Sequence, residues 1–312
     1  VIDFAWFTSP AFRHEKYTGV VAGQNKVDLN VYYDPRDSVL WSKAGVYAAR
    51  ALEFYSDWLG AYPYQQMSVV SAPLSAGGGM EYPMVAQIGY MEDSASLDLV
   101  IAHEIGHTWL YGILANNERA HPWMDEGLNS FIEAQYTAKY QPAYREAYLP
   151  REYTTRASMD QVDALQHALH FSNTLQPPAT SPESQQQAQY FFSAYTMPAQ
   201  GLQMMMGMEG EEVMKKMFRQ YFADHQFSHV TPAHLSNSFE QACDCDLSWY
   251  FDGWIHHAHE IDYRISHFDR EKKEVTFVNH GPADIPLRFN TYKDGQQIRE
   301  HTLNGFKGEK TI

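Results

Sequence analysis

The sequence predicts an α+β fold, with strands near its start, helices through its middle and a small β-module at its end. Two observations carry this. Apolar residues recur at helical spacing over long stretches between residues 40 and 257. Before residue 33 and after residue 261 they fall instead in short alternating runs rich in β-branched and aromatic residues.

In chain order, VIDFAWF at 1–7 and KVDLNVYY at 26–33 read as strands. Residues 40–60 carry helical spacing and stop at Gly60. MSVVSAPL at 67–74 and VAQIGYM at 85–91 are further strands, separated by a Gly-rich turn. The pattern is helical from 94 to about 114 and again over 125–140. Residues 141–187, rich in Pro, Gln and Ser, read as helix followed by loop, and 188–257 as several helices. YRISHF, EVTFVNH, PLRFNTY and QQIREHTL then alternate as short strands, with turns at Gly281 and Asp294-Gly295. The change of texture sets a boundary near 260, giving a unit over 1–260 and a β-module over 261–312.

Bulk properties narrow the function. The 312 residues are enough for one large domain or two modest ones. Apolar residues at 44% and charged residues at 20% are the balance of a soluble globular protein. A net charge of −15 argues against nucleic acid and anionic membranes, and suits a cationic group such as a free peptide amine or simply serves solubility. No apolar run approaches the roughly 18 residues of a membrane helix. No signal segment opens the chain, which begins on Val1 rather than Met, and the compartment is left open. Cys243 and Cys245, one residue apart, read as too close for an easy disulfide. His256, His257 and His259 read as a solvated or interface patch, because no Cys or carboxylate stands at metal-site spacing from them.

The decisive stretch is IAHEIGHTWLYGILANNERAHPWMDEGLNSFIEA. His103 and His107, four apart on a predicted helix, project from one face, and imidazoles at that spacing can meet one zinc ion. Glu104 lies about 100° round the helix from His103, placed to reach a metal-activated water without binding the metal. A catalytic zinc takes a third protein ligand and keeps one open position. Glu126 supplies the third, eighteen residues after His107, on a second helix that the turn-prone NNERAHPW lets fold back. A chance HExxH on an ordinary helix does not require that later carboxylate. Glu133, two turns past Glu126, stands where it can orient a ligand histidine, or face solvent.

HEIGH followed at this interval by WMDEG resembles the aminopeptidase N family of zinc peptidases, which includes leukotriene hydrolase. GGGMEYP at 77–83 is similar to the family's Gly-x-Met-Glu-Asn stretch, whose backbone flanks the substrate and whose Glu binds the terminal amine. That match assigns Glu81 to the amine and Gly78, Gly79 and Met80 to the substrate edge; Tyr82 departs from the family's Asn. GEEVMKKMF from Gly210 resembles a family stretch whose interval points back to Tyr195 as the oxyanion donor, with Tyr190 as a companion. The family's Lys-Gly after that Tyr is replaced here by Met197-Pro198. HVTPAHLSNSFEQACDCDLSWYFDGWI is similar to the family's helical region before a small β-domain.

The resemblance covers nearly the whole chain and implies a thermolysin-like zinc metallopeptidase domain: a twisted, mostly antiparallel sheet on the HEIGH helix, a helical lobe and a small C-terminal β-module. It implies one Zn2+ per chain, Glu104 as general base and peptides with a free N-terminus as substrates. The family's large N-terminal β-domain and its later helical domain have no counterpart in these residues. The rival functions are a zinc endopeptidase, which would need no amine anchor, another hydrolase on the same site, such as an epoxide hydrolase, and a non-catalytic scaffold, which would need no Glu104.

Overall fold

Five strands build one layer of the protein. The computed structural model describes residues 2–75, 77–143, 169–170, 172, 174–258 and 261–312. β1 (Arg13–Ala22) and β2 (Asn25–Tyr33) form an antiparallel hairpin. In β2, Val27, Leu29, Val31 and Tyr33 are buried and the residues between them are not, the period of two of a strand with one face on a core. β3 (Gln66–Ser71) runs parallel to β2, and β5 (Val85–Ile88) parallel to β3. The two-residue strand β4 (Gly79–Met80) closes the edge, antiparallel to β5. The order is β1-β2-β3-β5-β4.

The sheet is therefore mixed, not mostly antiparallel as expected. The chain leaves β2 through helices and returns to β3, and such a crossover brings it back in the same direction. The expected strand at 1–7 is also absent over the described residues 2–7, which pair with no neighbour and leave Phe4 and Trp6 exposed.

Helices cover the sheet and carry the site. After the short α1 (Ser38–Trp41), α2 (Ala44–Trp58) buries a face through Ala48, Ala51, Leu52, Tyr55 and Trp58. α3 (Ser94–His107) starts where the Asp93 carboxylate accepts from the backbone N–H groups of Ala95 and Ser96, at 2.8 and 2.9 Å. α4 (Glu126–Tyr140) packs on α3 and follows a single 3-10 turn, Pro122–Met124. Asp98 of α3, wholly buried, ties the helices together. It accepts from Arg50 of α2, from the Tyr136 hydroxyl of α4 at 2.7 Å and from Gln141 at 2.5 Å. A buried carboxylate held this way is compensated, and loss of one partner would leave charge stranded.

The helix-then-loop expected over 141–187 falls in large part outside the described residues; Pro182–Ser184 is a 3-10 turn. The helical lobe follows as α5 (Gln187–Tyr190), a π-helical turn (Phe191–Thr196), α6 (Met197–Glu209), α7 (Glu211–His225), α8 (Pro232–Cys243) and a second π-helical turn (Trp249–Trp254). Beyond it, β6 (Tyr263–Asp269), β7 (Glu274–Asn279) and β10 (Gly308–Thr311) form one small sheet. β8 (Leu287–Lys293) and β9 (Gln296–Leu303) form a hairpin through Asp294-Gly295, the turn read from the sequence.

Cys243 and Cys245 form a disulfide with Cα atoms 5.2 Å apart, against the expectation. Asp244 between them takes a left-handed conformation, φ 55° and ψ 43°, which ends α8 and folds the chain so that the two side chains meet. His256 and His257 are exposed and join none of the metal-type groups found among the described residues; His259 lies outside those residues.

Candidate metal centre and active site

The last turn of α3 and the first of α4 cross at the site. His103 and His107 stack edge to face, with ring centroids 4.6 Å apart. Each ring is oriented through Nδ1, His103 by Glu133 Oε2 at 3.0 Å and His107 by Asp125 Oδ1 at 2.6 Å. Carboxylates on both Nδ1 atoms turn both Nε2 atoms inward, where they stand 2.9 Å apart. Glu126 Oε2 lies 3.3 Å from each Nε2. It is buried and has no hydrogen-bond partner.

Three ligand-type atoms thus converge on one point with no proton donor between them if the rings are neutral. The surrounding carboxylates favour positive charge at this point. Burial and the second imidazole press the His103 pKa down, but Glu126 and Glu133 outweigh them and carry it up to about 10. His107 is likewise raised, with Asp125 and Glu126 outweighing burial. Burial disfavours a charged Glu126, yet the two imidazoles hold it well below the usual carboxylate range. This carboxylate excess is what a divalent cation would balance, and two imidazole nitrogens with one carboxylate oxygen are a zinc-type donor set.

The supports are equally specific. Tyr55 of α2 donates to Asn129 Oδ1 at 2.7 Å, and Asn129 Nδ2 donates to the His103 carbonyl at 2.8 Å. Gly106 lets the helices come this close: a Cβ there would stand 2.1 Å from Asn129 Oδ1 and 2.4 Å from the Tyr55 ring.

A cavity of about 250 Å3 opens over the centre. It is lined by Gly77, Gly78, Gly79, Glu81, Val100, His103, Glu104, His107, Glu126, Glu133 and Tyr195. Glu104 is 5% exposed, its Oε2 is unpartnered, and burial pushes its pKa up to about 7. Gly79 on the edge strand packs against it; a Cβ at 79 would lie 2.4 Å from Glu104 Cγ. Tyr195, in the π-helical turn Phe191–Thr196, stacks over His103 and donates to Glu126 Oε1 at 2.6 Å. Burial and the Glu126 charge raise its pKa, so it stays a donor. Tyr190 meets Tyr195 edge to face and does not line the cavity. Glu81 offers a carboxylate oxygen within 4.8 Å of ligand-type atoms of Glu104 and His107. Met80 pairs with Gln87 on β5 and is not part of the lining, and Tyr82 packs on Phe7.

Of the residues singled out from the sequence for the site, His103, His107, Glu126, Glu104, Glu133, Glu81, Gly78, Gly79 and Tyr195 line this cavity, and Met80 and Tyr190 do not. Asp125, the residue before Glu126, was not anticipated as the partner of His107, nor was Glu118 as a neighbour of Glu81. Neither stands at a spacing that marks it out.

The model of the "Peptidase family M1 domain" matches residues 46–254, more than half of the chain. The chain belongs to this family. Aminopeptidase N of Lactobacillus helveticus is 22% identical over 222 residues, which cover 67% of this chain and 26% of that protein. The chain thus spans about a quarter of the length of that M1 relative. Among solved structures, Legionella pneumophila aminopeptidase A in complex with aspartic acid matches with a TM-score of 0.72 at 15% identity, covering 96% of this chain and 36% of that one. An M1 zinc metallopeptidase from Deinococcus radiodurans matches with a TM-score of 0.58 at 17% identity, covering 79% and 52%. Likeness at this level establishes the M1 fold, with the α+β architecture expected.

Proposed function

We propose that this chain is the catalytic portion of a zinc-dependent aminopeptidase, with residues 1–260 as the catalytic unit and 261–312 as a β-module. One zinc ion per chain is held by His103, His107 and Glu126, and the substrates are peptides with a free N-terminus. The observation that carries this reading is the position of Glu81: a second carboxylate reaches within 4.8 Å of Glu104 and His107, close enough to hold an ammonium one residue from the scissile bond.

When bound, zinc polarises the scissile carbonyl and lowers the pKa of the attacking water. Glu104 takes a proton from that water and returns it to the leaving nitrogen, a role suited to a buried carboxylate with a free oxygen. The Tyr195 hydroxyl donates to the carbonyl oxygen as negative charge grows there. Glu81 accepts from the terminal ammonium, so that one residue is removed at a time. The backbones of Gly78 and Gly79 form the substrate edge. Met80 belongs to the same edge, its strand pairing with Gln87 on the side that faces β5. Glu133 and Asp125 hold the ligand rings in place.

The zinc-loaded chain is expected to hydrolyse aminoacyl fluorogenic substrates and to leave their acetylated forms nearly untouched. Equal cleavage of the two would turn the reading toward an endopeptidase. Glu81→Ala should raise KM about ten- to a hundredfold, from the loss of a charge-assisted hydrogen bond of about 1.5–3 kcal/mol, with zinc content unchanged.

Tyr195→Phe should lower kcat by about 10²–10³ with little change in KM, because the hydroxyl matters most once charge develops. Tyr190→Phe should cost much less. A larger loss at Tyr190 would reassign the oxyanion donor. Glu133→Gln should weaken zinc retention about ten- to a hundredfold in a chelator competition. Unaltered zinc affinity would leave Glu133 with no orienting role.

A further inference from the structure

Glu118 lies in the connector between the π-helical turn that ends α3 (Thr108–Ile113) and the 3-10 turn before α4. One carboxylate oxygen from each of Glu81, Glu118 and Asp125 lies within 4.8 Å of the others. Among the described residues, no ion pair with lysine or arginine involves Glu81 or Glu118. Asp125 is 1% exposed; its Oδ1 faces His107, and its buried Oδ2 has no hydrogen-bond partner. Three carboxylates therefore gather on one spot, one of them with a spare oxygen sealed from water. Like charges at this range repel, and a buried unpaired oxygen costs about 1–3 kcal/mol unless something donates to it.

We propose that Glu118 is a second anchor for the substrate's terminal ammonium, which is bridged between Glu81 and Glu118. The inference rests on the aminopeptidase reading and deepens it. Charge-assisted N–H···O contacts run at about 2.8 Å, so two oxygens sharing one nitrogen stand at most roughly 5.6 Å apart. The observed limit of 4.8 Å fits one nitrogen between them. An ammonium has three donors, and Asp125 supplies a third carboxylate beside the pair. Glu81 lines the cavity together with Glu104, and Glu118 stands beside Glu81 just outside that lining. Two anchors fix the direction of the peptide's first bond as well as its end, which one carboxylate alone cannot do.

Two ligands separate this inference from the reading beneath it. Leucine hydroxamate and 4-methylpentanohydroxamate share a zinc-binding group and a side chain, and only the first has an amine. The unmutated zinc-loaded chain should bind leucine hydroxamate at least tenfold more tightly by calorimetry. In Glu118→Gln that preference should shrink about tenfold, with zinc content, thermal stability and the affinity of the amine-free compound unchanged. If Glu118→Gln keeps the full preference while Glu81→Gln loses it, Glu118 is no anchor and the aminopeptidase reading stands. Equal weakening of both hydroxamates makes Glu118 a structural residue and overturns the inference. So does a second equivalent of zinc that disappears in Glu118→Gln, which would make the cluster a cation site. No amine preference in the unmutated chain overturns the inference and the reading together.

Discussion

Glu126→Ala is expected to lose its zinc on dialysis and, with it, all measurable peptidase activity. Among the described residues Glu126 Oε2 is the one carboxylate oxygen within 3.3 Å of both inward-facing imidazole nitrogens, so its loss leaves two neutral ligands and no charge to balance the cation. Residues that merely orient ligands cost about ten- to a hundredfold in metal affinity when removed, and a direct ligand should cost more than that upper figure. The same substitution takes away the acceptor that holds the Tyr195 hydroxyl at 2.6 Å. Elemental analysis of the purified variant beside the unmutated chain is the measurement, with His103→Ala as a second case. Retention of a full equivalent of zinc in both would remove these residues from the ligand set.

Glu104→Gln separates chemistry from metal binding. The amide has nearly the same shape and keeps the contact with Gly79, so fold and zinc content should be unchanged. What disappears is the proton acceptor. Positioned general acid–base groups contribute about 10²–10⁴ in rate, and in the proposed mechanism this group serves twice, on the water and on the leaving nitrogen. A loss in kcat of about 10³ or more is expected, with KM changed little. Near-normal turnover in a variant that still carries zinc would show that another group activates the water.

Apart from Glu81, Gly78, Gly79 and Tyr195, to which the family resemblance points, the parts of the site that the sequence discloses are those with a helical repeat behind them. His103 and His107 lie one turn apart and Glu133 two turns past Glu126, and a regular helix converts such intervals into a shared face. The spacing to Glu126 is legible only because both flanking helices are. Asp125 and Glu118 belong to the irregular connector between them, where no period links position to direction. Sheet topology fails for a related reason. Alternation in KVDLNVYY identifies a strand and its buried face but says nothing about which strand lies beside it or which way it runs. VIDFAWF has the texture of a strand, and its described residues 2–7 pair with no strand among the described residues, since pairing is a tertiary event. The bond between Cys243 and Cys245 turns on one backbone dihedral at Asp244, which residue types alone do not specify.

The strut from Tyr55 through Asn129 to the His103 carbonyl, with no side chain at Gly106 to hold the helices apart, has a consequence for how the metal comes and goes. Those contacts need no ion, and neither do the carboxylates that aim the two rings. On the proposed reading the coordination sphere is preorganised by packing and by hydrogen bonds, two of them to carboxylates, that form without the ion, unlike small domains whose folding is itself metal binding. Stripping by a chelator is then a local, reversible exchange: the emptied protein keeps its tertiary structure and refills without refolding, and its melting temperature reports metal affinity by mass action alone.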